Sequence, residues 1–222
     1  MLVSFVIFYL LLNLVIGWWA SKKVHSTQDF ILAGRSLPFA LATMVTFATW
    51  FGSETMLGAP REFVHGGVLA IIEEPFGAAL GLLIVGSIYA KKLYPLPVLT
   101  FSDYFRIRFG AMSEKLSAIV MIPSYFGWIS AQLVALGMTL HLLLPITTEM
   151  GIVIGAVLVM TYTLLGGMWS ITITDFLHNI ILIIGLLFLA YLFLDKIPDW
   201  GLFIDQQPPG FFRFIPKENT WV

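Results

Sequence analysis

Six long apolar runs occupy most of this 222-residue chain and constrain its fold more than any other feature. A helix that crosses a bilayer needs about 20 mostly apolar residues. The runs lie at 2–20, 37–60, 68–90, 112–144, 150–168 and 170–194. Charged residues make up only 11% of the chain, against roughly 25% in a soluble domain. Because the runs are continuous rather than alternating, they predict an all-α membrane protein with six transmembrane helices and exclude a transmembrane β-barrel.

Charge and motif content exclude several classes of function. The chain has 12 Lys+Arg and 13 Asp+Glu, a net charge of -1, so we expect no nucleic-acid partner. The absence of cysteine excludes disulfides and thiolate metal sites. No H-E-x-x-H, G-x-S-x-G or P-loop motif is present, and we therefore expect neither an enzyme nor an organic cofactor.

The positions of the basic residues predict the orientation of the chain in the membrane. Those that follow the first and third runs are Lys22, Lys23, Arg35, Lys91, Lys92, Arg106, Arg108 and Lys115. The positive-inside rule places these two connections in the cytoplasm, so the N-terminus and the tail at 195–222, with Lys217, lie outside. The first run ends in Trp18 and Trp19, which favours a retained helix over a cleaved signal peptide. We expect the plasma (inner) membrane.

Two local signals refine the connections between the runs. Thr100 and Asp103 have the spacing of a capping box, which predicts a short helix at the cytoplasmic interface. Its residues Tyr104, Phe105 and Phe109 would face lipid or protein. The pair at 166–167, Gly-Gly, predicts a tight turn between the fifth and sixth helices.

Polar residues inside the second run predict a break in that helix. The stretch 49–55, Thr-Trp-Phe-Gly-Ser-Glu-Thr, places Gly52 among short hydroxyl residues. A break would free carbonyl oxygens that suit Na⁺, and irregular backbone at membrane depth lines a cavity or is buried in protein. The alternative is an intact helix whose small residues allow close packing.

Other polar groups in the runs each have two interpretations. Of Glu73 and Glu74, which point about 100° apart, only one faces a cavity, unless both are solvated at the outer interface. Asp175, with His178 and Asn179 at helical spacing, either attracts a cation or caps the helix. One face of the fourth helix either lines a solute site or packs against another helix. Its members are Ser124, Tyr125, Trp128 and Gln132.

Three stretches of the chain resemble the sodium:solute symporter family, which includes sodium/sugar and sodium/proline cotransporters. They are 29–38 (DFILAGRSLP), 48–60 (ATWFGSETMLGAP) and 166–176 (GGMWSITITDF). The resemblance implies the leucine-transporter-type fold, in which two five-helix inverted repeats each begin with a broken helix. An extra N-terminal helix at 1–20 would precede the first repeat at 37–194, whose broken helix is 37–60.

The same resemblance implies site residues. The backbone carbonyls of Ala48 and Phe51 would supply part of a sodium site, and Asp175 would assist sodium binding and release. Trp50 stands where sugar transporters have a small polar residue, which argues against a sugar. With Trp128 and Gln132 from the fourth helix, the expected solute-binding residues are Trp50, Ser53, Glu54, Thr55, Glu74, Trp128 and Gln132.

The expected function is sodium-coupled symport of a small organic solute by alternating access, with Na⁺ as the coupling ion. By the resemblance, the second repeat is missing and the tail at 195–222 leads to it. The chain alone would then be a partial transporter without activity. The alternative is the solute-sensing membrane domain of a signalling protein.

Overall fold

The computed structural model describes residues 2–194, 196–197 and 199–215, and these are helical without any strand. Parts of the predicted external tail, including Lys217, lie outside the described residues. Close contacts group the chain into two units. One comprises Met1–Ala48 and Pro97–His178, and the other comprises Thr49–Leu96 and Asn179–Val222.

Ten α-helices lie in the described part of the chain. They are α1 (Leu2–Ser21), α2 (Thr27–Leu32), α3 (Phe39–Trp50), α4 (Ala59–Ala70), α5 (Ala78–Ile84), α6 (Ala90–Leu93), α7 (Phe101–Phe109), α8 (Ala111–Leu143), α9 (Thr148–Leu194) and α10 (Trp200–Asp205). A 3₁₀ turn follows α2 at Ala33–Arg35. Three π-helical turns precede α4, α5 and α6, at Glu54–Gly58, Glu73–Gly77 and Val85–Tyr89.

Four helical stretches in this part of the chain are long and apolar enough to cross a bilayer. They are Val3–Ser21, Glu73–Leu93, Ala111–Leu143 and Thr148–Leu194. A fifth is added if Thr27–Arg35 and Phe39–Trp50, which are bent by 107°, count as one span. Residues 36–38 between them end in Pro38, which disfavours helical backbone at the residue before it.

The predicted turn between the fifth and sixth helices is a kink without loop residues. The run Thr148–Leu194 has 47 residues, which at about 1.5 Å each exceeds twice the thickness of the hydrocarbon core, about 30 Å. Gly167 interrupts it with φ 51° and ψ −139°, values that favour glycine. The run therefore consists of two helices joined directly at Gly167.

The second and third helices differ from their predicted bounds of 37–60 and 68–90. After α3 ends at Trp50, helical backbone resumes before the π turn Glu54–Gly58, and α4 then continues to Ala70. Helical backbone continues through Pro60, which lies in the first turn of α4 directly after the π turn. The next apolar span begins only at Glu73.

Glycines allow the helices of the first unit to approach closely. A Cβ atom on Gly17 of α1 would lie 2.6 Å from the Cβ of Tyr162 on α9. A Cβ on Gly151 of α9 would lie 2.7 Å from the carbonyl oxygen of Gly137 on α8. Gly151 and Gly155 form a G-x-x-x-G pair, the small-residue pattern by which membrane helices pack.

Three connections of the first unit lie against one another. The ammonium group of Lys23, after α1, is 4.5 Å from the ring centroid of Trp169. A side chain at Gly167 would collide with the carbonyl oxygen of Phe30 on α2. The guanidinium of Arg35 donates to the carbonyl oxygen of Val98, ahead of α7, at 2.6 Å.

In the second unit, the described part of the tail folds onto the end of α4. The amide of Val68 donates to the carbonyl oxygen of Phe211 at 2.8 Å. The rings of Phe63 and Phe211 are 5.1 Å apart, and those of Phe76 and Phe214 are 5.5 Å apart. The predicted external loop therefore contains a packed aromatic segment as well as the short helix α10.

Candidate solute and ion site

The helix interruption lies among the residues expected to bind ion and solute. Ala48 is in the last turn of α3, and Phe51 and Gly52 are in bent, non-helical backbone. Trp50 closes α3 with its side chain 51% exposed. The hydroxyl of Thr55 lies 3.2 Å from the Trp50 carbonyl oxygen, so a side chain partners a carbonyl at the interruption.

Thr55 also contacts Glu74, an expected solute residue 19 positions later. The Thr55 hydroxyl lies 3.2 Å from the Glu74 carboxylate, and both side chains are half-buried. The neighbouring acids Glu54 and Glu73 are exposed, whereas Ser53 is half-buried at the start of the π turn. The structure thus brings together Thr55 and Glu74 from the expected set.

Both residues of this contact lie in π-helical turns, which occur often at functional sites. The second turn contains Pro75, which has no amide hydrogen to donate within the helix. Beyond it, the amide of Gly77 donates to the carbonyl oxygen of Ile72, five residues back, at 3.3 Å. Proline thus accounts for the second π turn. The first is followed within two residues by Pro60, whose ring crowds the carbonyl four residues back, that of Met56.

Two expected solute residues, Trp128 and Gln132, lie on α8 in the first unit. Helix α8 is continuous over 33 residues even though it contains Pro123. The Trp128 side chain is 38% exposed and that of Gln132 is half-buried. Their assignment to a solute site stays a prediction.

Asp175 lies eight residues after the kink of α9, in a polar section of that helix. It is half-buried. Near it the hydroxyls of Ser170 and Thr172 are fully buried and have no hydrogen-bond partner among the described residues. The Thr174 hydroxyl instead donates to the Ser170 carbonyl oxygen at 3.0 Å. Asp175 itself lies within continuous helix, about two turns after the kink at Gly167. It therefore does not cap the start of a helix.

A polar contact that was not predicted from the sequence joins the first and last predicted helices. Asn13 of α1 is 3% exposed, and its side-chain oxygen lies 2.8 Å from Nε2 of His178. An asparagine inside an apolar run was the available signal, because an unpaired amide is costly in a bilayer. His178 thus has the hydrogen-bond partner of a structural histidine rather than the role of an ion ligand.

The described residues contain no group of three or more histidines, cysteines or acids that could hold a metal ion. Backbone carbonyl and hydroxyl oxygens, such as those at the α3 interruption, are the other kind of ligand that suits Na⁺.

Apolar helices of spanning length, with a break beside a half-buried polar contact, define an integral membrane protein. The family model described as the sodium:solute symporter family matches residues 30–206. The chain therefore belongs to the sodium:solute symporter family, as the three sequence stretches predicted.

The relatives found by comparison with curated proteins include high-affinity choline transporters from three animals. The chain is 32% identical to that of Torpedo marmorata over 198 residues, 31% to that of Drosophila melanogaster over 191, and 29% to that of Homo sapiens over 195. Each match covers 83% of this chain but only 33%, 30% and 33% of the respective relative. The chain thus spans about a third of the length of these relatives. No solved structure gives a significant match.

Proposed function

We propose that the protein takes part in sodium-coupled symport of a small organic cation, for which choline is the first candidate. The observation that carries the proposal is the contact between Thr55 and Glu74 beside the α3 interruption, in a chain of this family. The names of the relatives reported above favour transport over sensing.

The chemistry of the second unit supports a cationic solute. Glu74 supplies a half-buried carboxylate held by a hydroxyl, and Glu54 adds a second acid one residue before Thr55. Trp50 offers a half-exposed indole, and tryptophan is the strongest aromatic partner for quaternary ammonium groups. Aromatic and acidic groups together fit choline better than a sugar, which needs several neutral hydrogen-bond partners. We include Ser53, Trp128 and Gln132 as further candidates for solute contact.

We further propose that Na⁺ binds to backbone carbonyls at the α3 interruption, with Ala48 and Phe51 as first candidates. Hard cations of this kind take several oxygen ligands, so two carbonyls form only part of a site. Asp175 and the buried hydroxyls of Ser170 and Thr172 would ease the passage of the ion. By analogy with the family, the chain would fold as an extra helix and a first five-helix repeat, with a second repeat supplying the remaining ligands.

We propose a topology in which six helices cross the membrane and the N-terminus lies outside. This topology requires that the connections after the first, third and fifth helices lie on the same side of the membrane. The contacts Lys23–Trp169 and Arg35–Val98, and the approach of Phe30 to Gly167, agree with that requirement. The same topology places the second connection and the tail together on the other side of the membrane. The contact between Val68 and Phe211 agrees with this placement.

Uptake of radiolabelled choline into proteoliposomes tests the proposal. The protein is expressed from its complete reading frame, and an inward Na⁺ gradient is compared with an equal K⁺ gradient. We expect uptake only with Na⁺. We expect Glu74→Gln to raise the KM for choline about tenfold, the equivalent of one lost charge contact of about 1.4 kcal/mol.

The matched control is Glu73→Gln, which removes the same charge from an exposed neighbour and should change the KM less than twofold. Choline uptake that persists unchanged when K⁺ replaces Na⁺ would overturn sodium coupling. Equal effects of the two substitutions would overturn the role of Glu74.

A further inference from the structure

Helices α7 and α8 enclose an apolar groove that plays no part in the proposed transport site. Its volume is about 540 Å³, within the usual range of small-ligand sites, roughly 300–1,000 Å³. Its walls are formed mainly by Phe101, Phe105 and Phe109 of α7 and Leu116, Val120 and Met121 of α8. We call it the α7–α8 groove.

The hydroxyls that line the groove already have partners within the protein. That of Ser113 donates to the carbonyl oxygen of Phe109 at 3.4 Å, and that of Ser117 lies 3.1 Å from the hydroxyl of Ser102 and 3.6 Å from the sulfur of Met121. The exposed side chains are apolar, with Val120 68% and Phe109 59% exposed. A ligand that fills the groove is therefore a hydrocarbon chain rather than a polar molecule.

Positive charge lies at one edge of the groove. Arg108 places its guanidinium 5.5 Å from the ring centroid of Phe109 and 3.5 Å from the Tyr104 hydroxyl. Lys115 is exposed beside the groove residue Leu116. Arg106 is balanced by Glu114, with 3.6 Å between the charged atoms, so Arg108 and Lys115 carry the local positive charge.

We propose that the α7–α8 groove binds one acyl chain of an anionic phospholipid, whose phosphate is held by Arg108. An interfacial helix with basic and aromatic residues is suited to the boundary between headgroups and chains. Guanidinium groups bind phosphate oxygens through paired hydrogen bonds, and the aromatic ring under Arg108 orients it. The charge selects the lipid over a neutral one, and the apolar walls select a lipid over a free phosphate.

A phospholipid fits these observations better than a second copy of the chain. The exposed surface of the groove is apolar, and Arg108 and Lys115 beside it are positive, which complements an anionic bilayer surface. The inference depends on the membrane location of the protein and not on transport. Failure of choline uptake would leave it intact.

Native mass spectrometry of the detergent-solubilised protein tests the proposal. Phosphatidylglycerol and phosphatidylcholine with identical acyl chains are titrated separately. We expect phosphatidylglycerol to bind about fivefold more tightly. Arg108→Gln removes a phosphate partner from both lipids, but it should weaken phosphatidylglycerol binding more and so remove that difference. We expect Val120→Trp, which fills the groove, to weaken binding of both lipids.

Two control variants match these changes elsewhere in the chain. Arg213→Gln removes the same charge from the tail, and Val157→Trp adds the same bulk to an exposed position of α9. Both should bind phosphatidylglycerol as the unchanged protein does, with unchanged circular dichroism. Equal binding of the two lipids, equal effects of Arg108→Gln and Arg213→Gln, or a two-chain species that Val120→Trp abolishes would overturn the proposal.

Discussion

Nε2 of His178 on α9 lies 2.8 Å from the side-chain oxygen of Asn13 on α1. The Asn13 amide also donates to the carbonyl oxygen of Tyr9 at 2.8 Å, and the rings of Tyr9 and His178 are 5.6 Å apart. The oxygen and the nitrogen of the Asn13 side chain thus each have a partner. The contact with His178 joins α1 to α9 within the apolar part of both helices.

Replacing Asn13 by leucine should destabilise the protein by about 1 kcal/mol, because interhelical hydrogen bonds in membranes contribute about this much. Chemical unfolding in mixed detergent measures the change. A double-mutant cycle with His178→Leu separates the contact from changes in packing. Strict additivity of the two substitutions would show that the residues do not interact.

Alanine at Gly151 should separate α8 from α9. Its Cβ would lie 2.7 Å from the Gly137 carbonyl oxygen and 3.0 Å from the Gly137 Cα, and backbone atoms cannot easily move aside. We expect a loss of about 1–3 kcal/mol in the free energy of unfolding. The control is Gly185→Ala on the same helix, where nothing lies within 4 Å of the new Cβ. It should be neutral or stabilise by up to about 1 kcal/mol. If both substitutions are neutral, the close crossing is refuted.

The start of α7 should loosen in acid. Backbone hydrogen bonds from Thr100 and Leu99 hold the pKa of Asp103 below its ordinary value, with a smaller contribution from the Thr100 side chain. Because the folded-state pKa is depressed, the capping contribution is present above about pH 4 and is lost as pH falls through the folded-state pKa. Hydrogen-exchange protection factors of the α7 amides should fall in that range.

The Asp103→Asn variant provides the comparison for this pH effect. Its amide cannot ionise, so protection should be lower at neutral pH and should not fall further in acid. A pH dependence that survives in Asp103→Asn would place its origin in another group.

The absence of cysteine makes the proposed topology easy to test. Single cysteines at Gln28 and Glu62, both exposed, lie in connections that should face opposite sides. In intact cells, a membrane-impermeant maleimide should label Glu62→Cys and reach Gln28→Cys only after permeabilisation. The reverse labelling pattern would show that the N-terminus lies inside. Labelling of both cysteines in intact cells would contradict their placement on opposite sides of the membrane.

Short-range features were well predicted from the sequence. The capping box of Thr100 and Asp103 is confirmed by reciprocal hydrogen bonds at the start of α7, because such a box needs only four consecutive residues. Family membership was also predicted, since it depends on short sequence motifs that need no knowledge of the fold. The kink of α9 falls at the predicted glycine pair, because only glycine readily adopts its backbone angles.

Features that depend on distant packing were not predicted. The contact of Val68 with Phe211 joins positions 143 residues apart, and no local pattern indicates it. The pairing of Asn13 with His178 required knowledge of which helices are neighbours. For the same reason, the roles of Trp128 and Gln132 cannot be derived from their spacing alone.

The kink at Gly167 limits where this protein can be engineered. A kink without loop residues leaves no room for extra chain, and the carbonyl of Phe30 covers the backbone where a side chain would emerge. An epitope tag, a protease site or a fused reporter inserted there would have to displace α2. The exposed residues after α10, such as Gln206, offer an accessible position for the same insertion.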